Sequence, residues 1–275
     1  LSLLKPSILV GVLKDPKAME EFVRANHDFD KRTIYLENDF SKFDKSQGRF
    51  VFMFEKYMFE QLGMNQELCD AWSEGHRFCK LSSMQTGLML HVYYQRKSGD
   101  ATTSIGNAMI NTSSVAMAYQ LSQVKWGAFM GDDSLVAVTE VPHGDRAVRV
   151  LAEVFNLSAK YYITSVPYYL SNFLLIDNEN REVKMIPDPI KRIEKLSASL
   201  PADSPDWEER YKSAKDALNP YMYPKYKRAL AEAVHQRYGV PIDYSNELFA
   251  CLATCISSLE NFKSIWESEP EDILY

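Results

Sequence analysis

Cysteine is scarce, four residues in 275, and its placement excludes the commonest uses of that residue. Cys69 and Cys79 lie far from Cys251 and Cys255, and neither pair has the Cys-x2-Cys spacing that builds zinc sites. Cys251 and Cys255 fall one helical turn apart in an apolar stretch, so buried free thiols and a reducing compartment are expected. The histidines, His27, His76, His91, His143 and His235, form no spaced ligand set and receive no role. Also missing is any uninterrupted apolar run of signal-peptide or membrane-span length, since Lys5, Lys14 and Lys17 interrupt the opening. Leu1 stands where an initiating methionine is usual, which suits a fragment or a polyprotein product in a cytosolic setting. Internal repeats and low-complexity segments are absent.

Basic charge is in short supply as well. Lys and Arg number 31 against 37 Asp and Glu, a formal charge of −6, whereas phosphate binding needs cations to displace counterions. Distribution overrides the total here. Acidic residues bunch between Asp203 and Glu209 and between Glu267 and Asp272, while Arg96-Lys97, Lys191-Arg192 and the stretch from Lys225 to Arg228 are locally basic. A nucleic-acid partner is therefore neither favoured nor excluded by charge. The 46% hydrophobic content is enough for one large domain or two smaller ones with a sizeable core.

Residues 33–38 have the β-branched and aromatic character of a strand that ends as Asp39 arrives. The apolar-rich run from Phe50 to Leu62 predicts a helix stopped by Gly63, with a second helix over about 66–78. Leu88 to Gln95 reads as a strand, which Ser98 and Gly99 break ahead of a helix from Thr103 to Leu121. Two short apolar runs, Val124 to Met130 and Ser134 to Val138, flank Gly131-Asp132-Asp133 and signal a hairpin. A helix over about 145–155, with Val148, Leu151, Ala152 and Phe155 on one face, leads to a strand around Lys160 and a hairpin from about Pro167 to Ile176. From Pro187 onward helices take over, at roughly 188–199, 207–218, 224–238 and 244–266. The expected class is α+β, a mixed part followed by a helical part, dividing near residue 185.

Three local patterns carry chemistry. The first, Asp39-Phe40-Ser41-Lys42-Phe43-Asp44-Lys45-Ser46-Gln47, sets two aspartates five positions apart just past a strand. A strand-end Asp facing a second Asp on a hairpin turn is what a two-metal site requires, carboxylates on rigid backbone. Alone, such a pair more often belongs to a solvated loop. The second is Ser98-Gly99-Asp100-Ala101-Thr102-Thr103-Ser104-Ile105-Gly106-Asn107, preceded by Arg96-Lys97. Gly99 permits a loop conformation closed to other residues, a neighbouring hydroxyl suits a sugar or phosphate, and Asn107 suits a nearby carboxylate or a ribose hydroxyl. The alternative is a Ser N-cap before an ordinary helix with a buried Asn. The third is Phe129-Met130-Gly131-Asp132-Asp133-Ser134, where adjacent like charges in a tight turn demand solvation or a cation. At average residue usage a Gly-Asp-Asp triplet arises by accident in roughly one chain in twenty of this length. All three patterns together, in this order, make coincidence a poor account.

The three blocks resemble motifs A, B and C of the RNA-dependent RNA polymerases of positive-strand RNA viruses, in the alphavirus-like supergroup. Asp39 to Gln47 and Gln95 to Asn107 look very like tobamovirus and bromovirus replicases. Glu37-Asn38-Asp39-Phe40 and Arg237-Tyr238-Gly239-Val240 look closer to hepeviruses. Lys160 lies in a stretch similar to motif D, Tyr168 to Phe173 is similar to the motif E turn, and Asp188-Pro189-Ile190-Lys191 to the start of the thumb. This resemblance implies a right-hand polymerase: residual fingers over 1–32, a palm of antiparallel sheet and packed helices over 33–185 with a finger insertion at about 48–95, and a helical thumb over 186–275. It implies template-directed nucleotidyl transfer from nucleoside triphosphates to an RNA 3′-hydroxyl, with two magnesium ions for which manganese substitutes.

By the same resemblance Asp39 and Asp132 hold the metals, with Asp133 beside them. Asp44 and Asn107 read the ribose 2′-hydroxyl, supported by Ser98, Gly99 and Thr103. Lys160 protonates the leaving pyrophosphate, and Arg96 and Lys97 face template or nucleotide phosphate. Template and product RNA, nucleotides and the helicase and capping domains of one polyprotein are the implied partners. The implied setting is the host cytoplasm, in membrane-associated replication complexes. One departure stands out: only 38 residues precede Asp39, and their lysines are scattered, where this group carries fingers and a basic motif F. The fingers are thus expected to be largely absent and the isolated chain to fold poorly or polymerise weakly. Three other readings compete. A reverse-transcriptase-like palm usually lacks the Asp44 and Asn107 pair, an inactive RNA-binding scaffold has no need of all three aspartates, and a carboxylate nuclease or phosphatase usually adds His ligands.

Overall fold

A computed structural model of the chain describes residues 5–11, 15–97, 99–142, 144–197, 206–222 and 224–267. By contacts the chain divides into two compact units, Leu1–Ser165 and Val166–Tyr275. The first unit opens with β1 (Ile8–Val10) and α1 (Pro16–Asn26), followed by β2 (Ile34–Ser41), α2 (Phe43–Ser46), α3 (Arg49–Gln61) and α4 (Gln66–Arg77). A hairpin of β3 (Phe78–Ser82) and β4 (Met89–Tyr93) precedes the long α5 (Thr103–Ala118). The hairpin β5 (Val124–Met130) and β6 (Asp133–Val138), α6 (Gly144–Phe155) and β7 (Ser158–Thr164) complete it.

Local chemistry accounts for most of these boundaries. Asp15 caps α1, its carboxylate accepting from the Lys17 amide at 3.0 Å with Pro16 in the first turn. Gly63, at φ +91°, ends α3 as its sequence predicts. Gly131, at φ +59°, occupies the first central position of a two-residue turn between Met130 and Asp133, where hairpins favour glycine. Five strands form one sheet in the order β1-β5-β6-β2-β7. Its core gathers Leu36, Ile110, Val136, Val138, Leu151 and Phe155. Each such fully buried side chain contributes roughly 1.5–3 kcal/mol.

Several expectations are corrected. The sheet is mixed, because β1 pairs in parallel with β5, Ile8 opposite Gly127. Strand β2 continues through Ser41 instead of ending at Asp39, since β7 goes on pairing with it, and Lys42 at φ +53° is what breaks it. Helix α6 buries Ala147, Leu151 and Phe155, while Val148 is 46% exposed, so its core stripe is rotated from the one expected. Strands β1 and β3 and helix α1 were not foreseen, being short or placed in sequence without clear alternation.

The second unit pairs β8 (Tyr168–Tyr169), β9 (Asn172–Asp177) and β10 (Glu182–Pro187) antiparallel, with β9 in the middle. Helices α7 (Pro189–Ser197), α8 (Trp207–Leu218), α9 (Pro224–Tyr238), α10 (Ile242–Cys255) and α11 (Leu259–Glu267) follow. Phe173 of β9 and Ile186 of β10 share one core with Leu230, Val234, Phe249 and Leu252, so this small sheet packs with the helices. The helix expected over 244–266 is two, because the Ser258 hydroxyl accepts from the Asn261 amide at 3.0 Å and starts α11 anew. All four cysteines are free thiols, but Cys251 is exposed rather than buried, as α10 turns Ser245, Phe249 and Leu252 inward.

One buried carboxylate ties this unit together. Asp188 has no solvent exposure. It accepts from the Tyr168 hydroxyl at 2.7 Å, the Tyr238 hydroxyl, and the backbone amides of Ile190 at 2.9 Å and Lys191 at 3.4 Å. Burial and the Asp188 charge push the Tyr238 hydroxyl up to about 12 and raise Tyr168 further.

Candidate active site

Strand β2 lies between β6 and β7, and its register decides what meets at the aspartate turn. Asn38 is opposite Ser134 on β6, the last pair on that side, and Asp39 is opposite Lys160 on β7. Continued one step beyond this last pair, the same register would set position 39 beside Asp133, where antiparallel neighbours lie about 4.5–5.5 Å apart between Cα atoms. The backbone therefore brings the first and third sequence patterns together. The Asp39 side chain is outside the described atoms. Asp132 and Asp133 are exposed at the turn.

Two side chains that the sequence patterns did not single out hold this place. Asn38 donates to the Ser134 hydroxyl at 3.1 Å and accepts from the Tyr119 hydroxyl at 2.7 Å, all buried. The Asn111 amide nitrogen, on α5, is 3.3, 2.9 and 3.1 Å from the carbonyl oxygens of Gly131, Asp132 and Asp133. Asn111 is fully buried, and among the described residues its own oxygen has no donor. Its spacing four residues after Asn107, on the same helix face, was the available signal.

Asp44 and Asn107, the pair expected to read the ribose, also meet. Asn107 on α5 donates to an Asp44 carboxylate oxygen at 2.7 Å, from a side chain 5% exposed. Gln47 donates to the Asn107 oxygen at 2.7 Å and accepts from the Arg96 Nε at 2.8 Å.

Arg96 does not face a phosphate channel. Its guanidinium forms an ion pair with Glu55, both side chains fully buried, over the Phe52 ring at 5.0 Å. Burial pushes the Glu55 carboxyl up, against the pull of the Arg96 charge. A guanidinium has five donors in a fixed fork, and here Glu55 takes two of them and Gln47 a third. Lys97, by contrast, is exposed.

The loop ahead of α5 is tied from two sides. Gly99 adopts φ +85°, as its sequence position suggested. The Thr103 hydroxyl donates to the Lys97 carbonyl at 2.8 Å, so it braces the loop. Both ring nitrogens of His76 face acceptors, the Trp72 carbonyl at 2.8 Å and the Asp100 carboxylate at 2.5 Å. Partial burial would raise Asp100, yet the His76 contact holds it below the usual carboxylate range. Ser98 lies outside the described residues. Lys160 is exposed on the sheet's edge strand.

Among the described residues no three His, Cys, Asp or Glu side chains cluster as a metal site, a set that leaves Asp39 out. The chemistry of the donors nonetheless fits a hard divalent cation. Magnesium takes one or two protein carboxylates and completes its shell with phosphate and water, and Asp132 and Asp133 offer carboxylates at an exposed turn beside position 39.

A strand-held aspartate position, an aspartate turn and an Asp44–Asn107 pair beside a mixed sheet are the arrangement expected of a palm-type polymerase. Residues 1–265 match the family model described as RNA dependent RNA polymerase. The chain is 36% identical over 172 residues to RNA-directed RNA polymerase 2a of Tomato aspermy virus, covering 62% of this chain and 20% of that one. It is 30% identical over 256 residues to the replicase large subunit of Tobamovirus Ob, covering 92% and 15% respectively. With replicase polyprotein 1ab of Beet yellows virus the figures are 32% over 236 residues, 84% and 7%. The chain thus spans about a fifth or less of these relatives' length. The RNA-dependent RNA polymerase of a human picorbirnavirus, in an insertion-loop deletion mutant, shares the fold at TM-score 0.60 and 14% identity, over 92% of this chain and 54% of that one. The chain belongs to the viral RNA-dependent RNA polymerase family, among relatives of the alphavirus-like supergroup.

Proposed function

We propose that this chain is the catalytic core of a viral RNA-dependent RNA polymerase, adding nucleotides under template direction to an RNA 3′-hydroxyl during genome replication and transcription. The observation that supports this reading is the β2 register, in which Asn38, the residue before Asp39, pairs with Ser134, the residue after the Asp132 and Asp133 turn, although the two are far apart in sequence. Asp39, Asp132 and Asp133 would hold two magnesium ions, with manganese able to replace them. Bound there, the metals would supply charge neutralisation for phosphoryl transfer and a lowered pKa at the attacking hydroxyl.

The chain's own side chains do the rest by position. Asp44 accepts from the ribose 2′-hydroxyl and the Asn107 amide orients that carboxylate, which is how RNA precursors are told from DNA precursors. Gly99 and Thr103 shape the loop that leads into α5, and Ser98 belongs to the same proposal. Lys160 hands a proton to the departing pyrophosphate in this reading, which its exposure and its register opposite Asp39 support. Lys97 is the cation offered to template or nucleotide phosphate. The proposed partners are RNA, nucleotides and other replicase domains of the same polyprotein. The proposed setting is replication complexes on host cytoplasmic membranes, although no helix among the described residues is long and apolar enough to cross one.

Product sizing with a primed template decides between extension and cleavage. Asp132→Ala in the full-length polymerase should abolish incorporation while RNA binding persists. Incorporation that survives this change would remove Asp132 from the chemistry, and shortened products would point to a nuclease.

A further inference from the structure

The polar contacts behind the sugar-reading pair form a single directed chain. It starts at Glu55, whose carboxylate takes two guanidinium N–H groups of Arg96, one of them at 3.3 Å. Arg96 Nε then donates to Gln47 Oε1 at 2.8 Å, Gln47 Nε2 to Asn107 Oδ1 at 2.7 Å, and Asn107 Nδ2 to Asp44 Oδ1 at 2.7 Å. The first four residues are buried, with Glu55 at 0%, Arg96 at 3%, Gln47 at 2% and Asn107 at 5% exposure. Asp44, at the far end, is half-exposed.

Direction along this chain is dictated from one end. A guanidinium donates and never accepts. Gln47 must therefore turn its oxygen to Arg96, which leaves its NH2 for Asn107. Asn107 must then turn its oxygen to Gln47, which leaves its NH2 for Asp44. An amide is nearly symmetric in shape, and the half-exposed Asp44 carboxylate, although it favours a donor, can also take hydrogens from water, so without the buried constraint Asn107 would be held less firmly with its NH2, and not its oxygen, towards Asp44. Only the first engages one Asp44 oxygen and commits the other to a substrate hydroxyl.

We infer that Arg96, held by Glu55 and acting through Gln47, sets the Asn107 amide orientation, making these three positioning residues for discrimination between ribo- and deoxyribonucleotides. This rests on the reading that Asp44 and Asn107 hold the 2′-hydroxyl. The close approach is built in: a Cβ at Gly106, the residue before Asn107, would lie 2.2 Å from Glu55 Oε1 and 2.8 Å from Arg96 Nη2. Gln95 adds a second tie, donating to the Asp44 backbone carbonyl at 3.0 Å. The buried Arg96 therefore acts on specificity while touching no nucleotide.

Gln47→Glu tests the inference with almost no change of shape. The new carboxylate still accepts from Arg96 but has no hydrogen for Asn107, and, being buried, it needs a donor more than the half-exposed Asp44 does, so the Asn107 amide turns round and sets its oxygen against Asp44. In the full-length polymerase, single-nucleotide incorporation is measured with one ribonucleoside triphosphate and its 2′-deoxy counterpart, for wild type, Gln47→Glu, Arg96→Lys and Asn107→Ala. The ratio of the two kcat/KM values should fall about 10- to 100-fold in Gln47→Glu, through loss on the ribonucleotide alone. That change is about 1.4–2.7 kcal/mol, the size of one hydrogen bond to a charged acceptor. Arg96→Lys keeps the charge beside Glu55 but lacks the fork, and should lower the ratio too, which serves if the glutamate variant does not fold. Equal losses on both nucleotides, leaving the ratio at wild type while Asn107→Ala lowers it, would overturn the relay and leave the sugar reading standing. An unchanged ratio in Asn107→Ala would overturn both.

Discussion

Replacing Asn111 with leucine separates the stability of the aspartate turn from its function. The Asn111 amide has two hydrogens shared among three carbonyl oxygens at 2.9–3.3 Å, so at most two full hydrogen bonds are at stake. Each is worth about 0.5–1.5 kcal/mol net, or roughly 1–3 kcal/mol together. Against this stands the buried Asn111 oxygen, which finds no donor among the described residues. Such an orphan costs about 1–3 kcal/mol. Leucine, branched at the same carbon, removes the bonds and the orphan alike, and the carbonyls it releases belong to an exposed turn where water can replace the amide, so global stability should change by about 1 kcal/mol or less. The turn loses its anchor all the same. If the held geometry is expressed in the transition state, about 1–3 kcal/mol becomes a loss of roughly 5- to 150-fold in kcat, with KM for the nucleotide little altered. Thermal melting and single-turnover extension on the full-length polymerase measure the two quantities. A leucine variant that extends at the wild-type rate would refute the anchoring role, and one that fails to fold would refute the cancellation.

Two further outcomes follow from buried charges. The folded-state pKa of Asp100 lies below its unfolded value because of His76, so its contribution to stability is present above about pH 4 and disappears as the pH falls through the lower, folded value. Asp100→Asn should therefore flatten the acid limb of a melting-temperature profile, and an identical acid limb would exclude the contact. In the second unit, Asp188→Asn puts an amide where four donors converge. It should cost roughly 2–4 kcal/mol by chemical denaturation, since bonds to a charged acceptor are worth about 1.5–3 kcal/mol each; a loss under half of one kcal/mol would contradict that accounting.

Much of the architecture was legible because it is decided locally. Helix α3 stops at Gly63 and the β5–β6 turn forms at Gly131 for reasons contained in a few adjacent residues, a positive φ that glycine alone meets without strain. Strand β1 was not legible, because three residues carry no periodicity and its parallel partner is more than a hundred positions away. The α6 stripe was misjudged by one position for a related reason: Val148 and Ala147 are both apolar, and only packing chooses between them.

The amino-acid sequence by itself determined which carboxylates and amides are on offer, in what order, and with which turns and helices between them. That was enough to indicate the polymerase family, since the three aspartates, Asp44 and Asn107 lie in short patterns whose spacing survives any view of the fold. Tertiary structure alone decided how they are used. Arg96 looked like a cation for phosphate on the family resemblance of the stretch it shares with Lys97, but its partners Gln47 and Glu55 are 49 and 41 positions away. Asn111 looked like an unremarked helix residue because the carbonyls it holds belong to another hairpin. Hydrogen bonds between distant segments leave no periodic trace in a sequence, and burial, which makes each unpaired polar atom costly, exists only once the chain has closed around it.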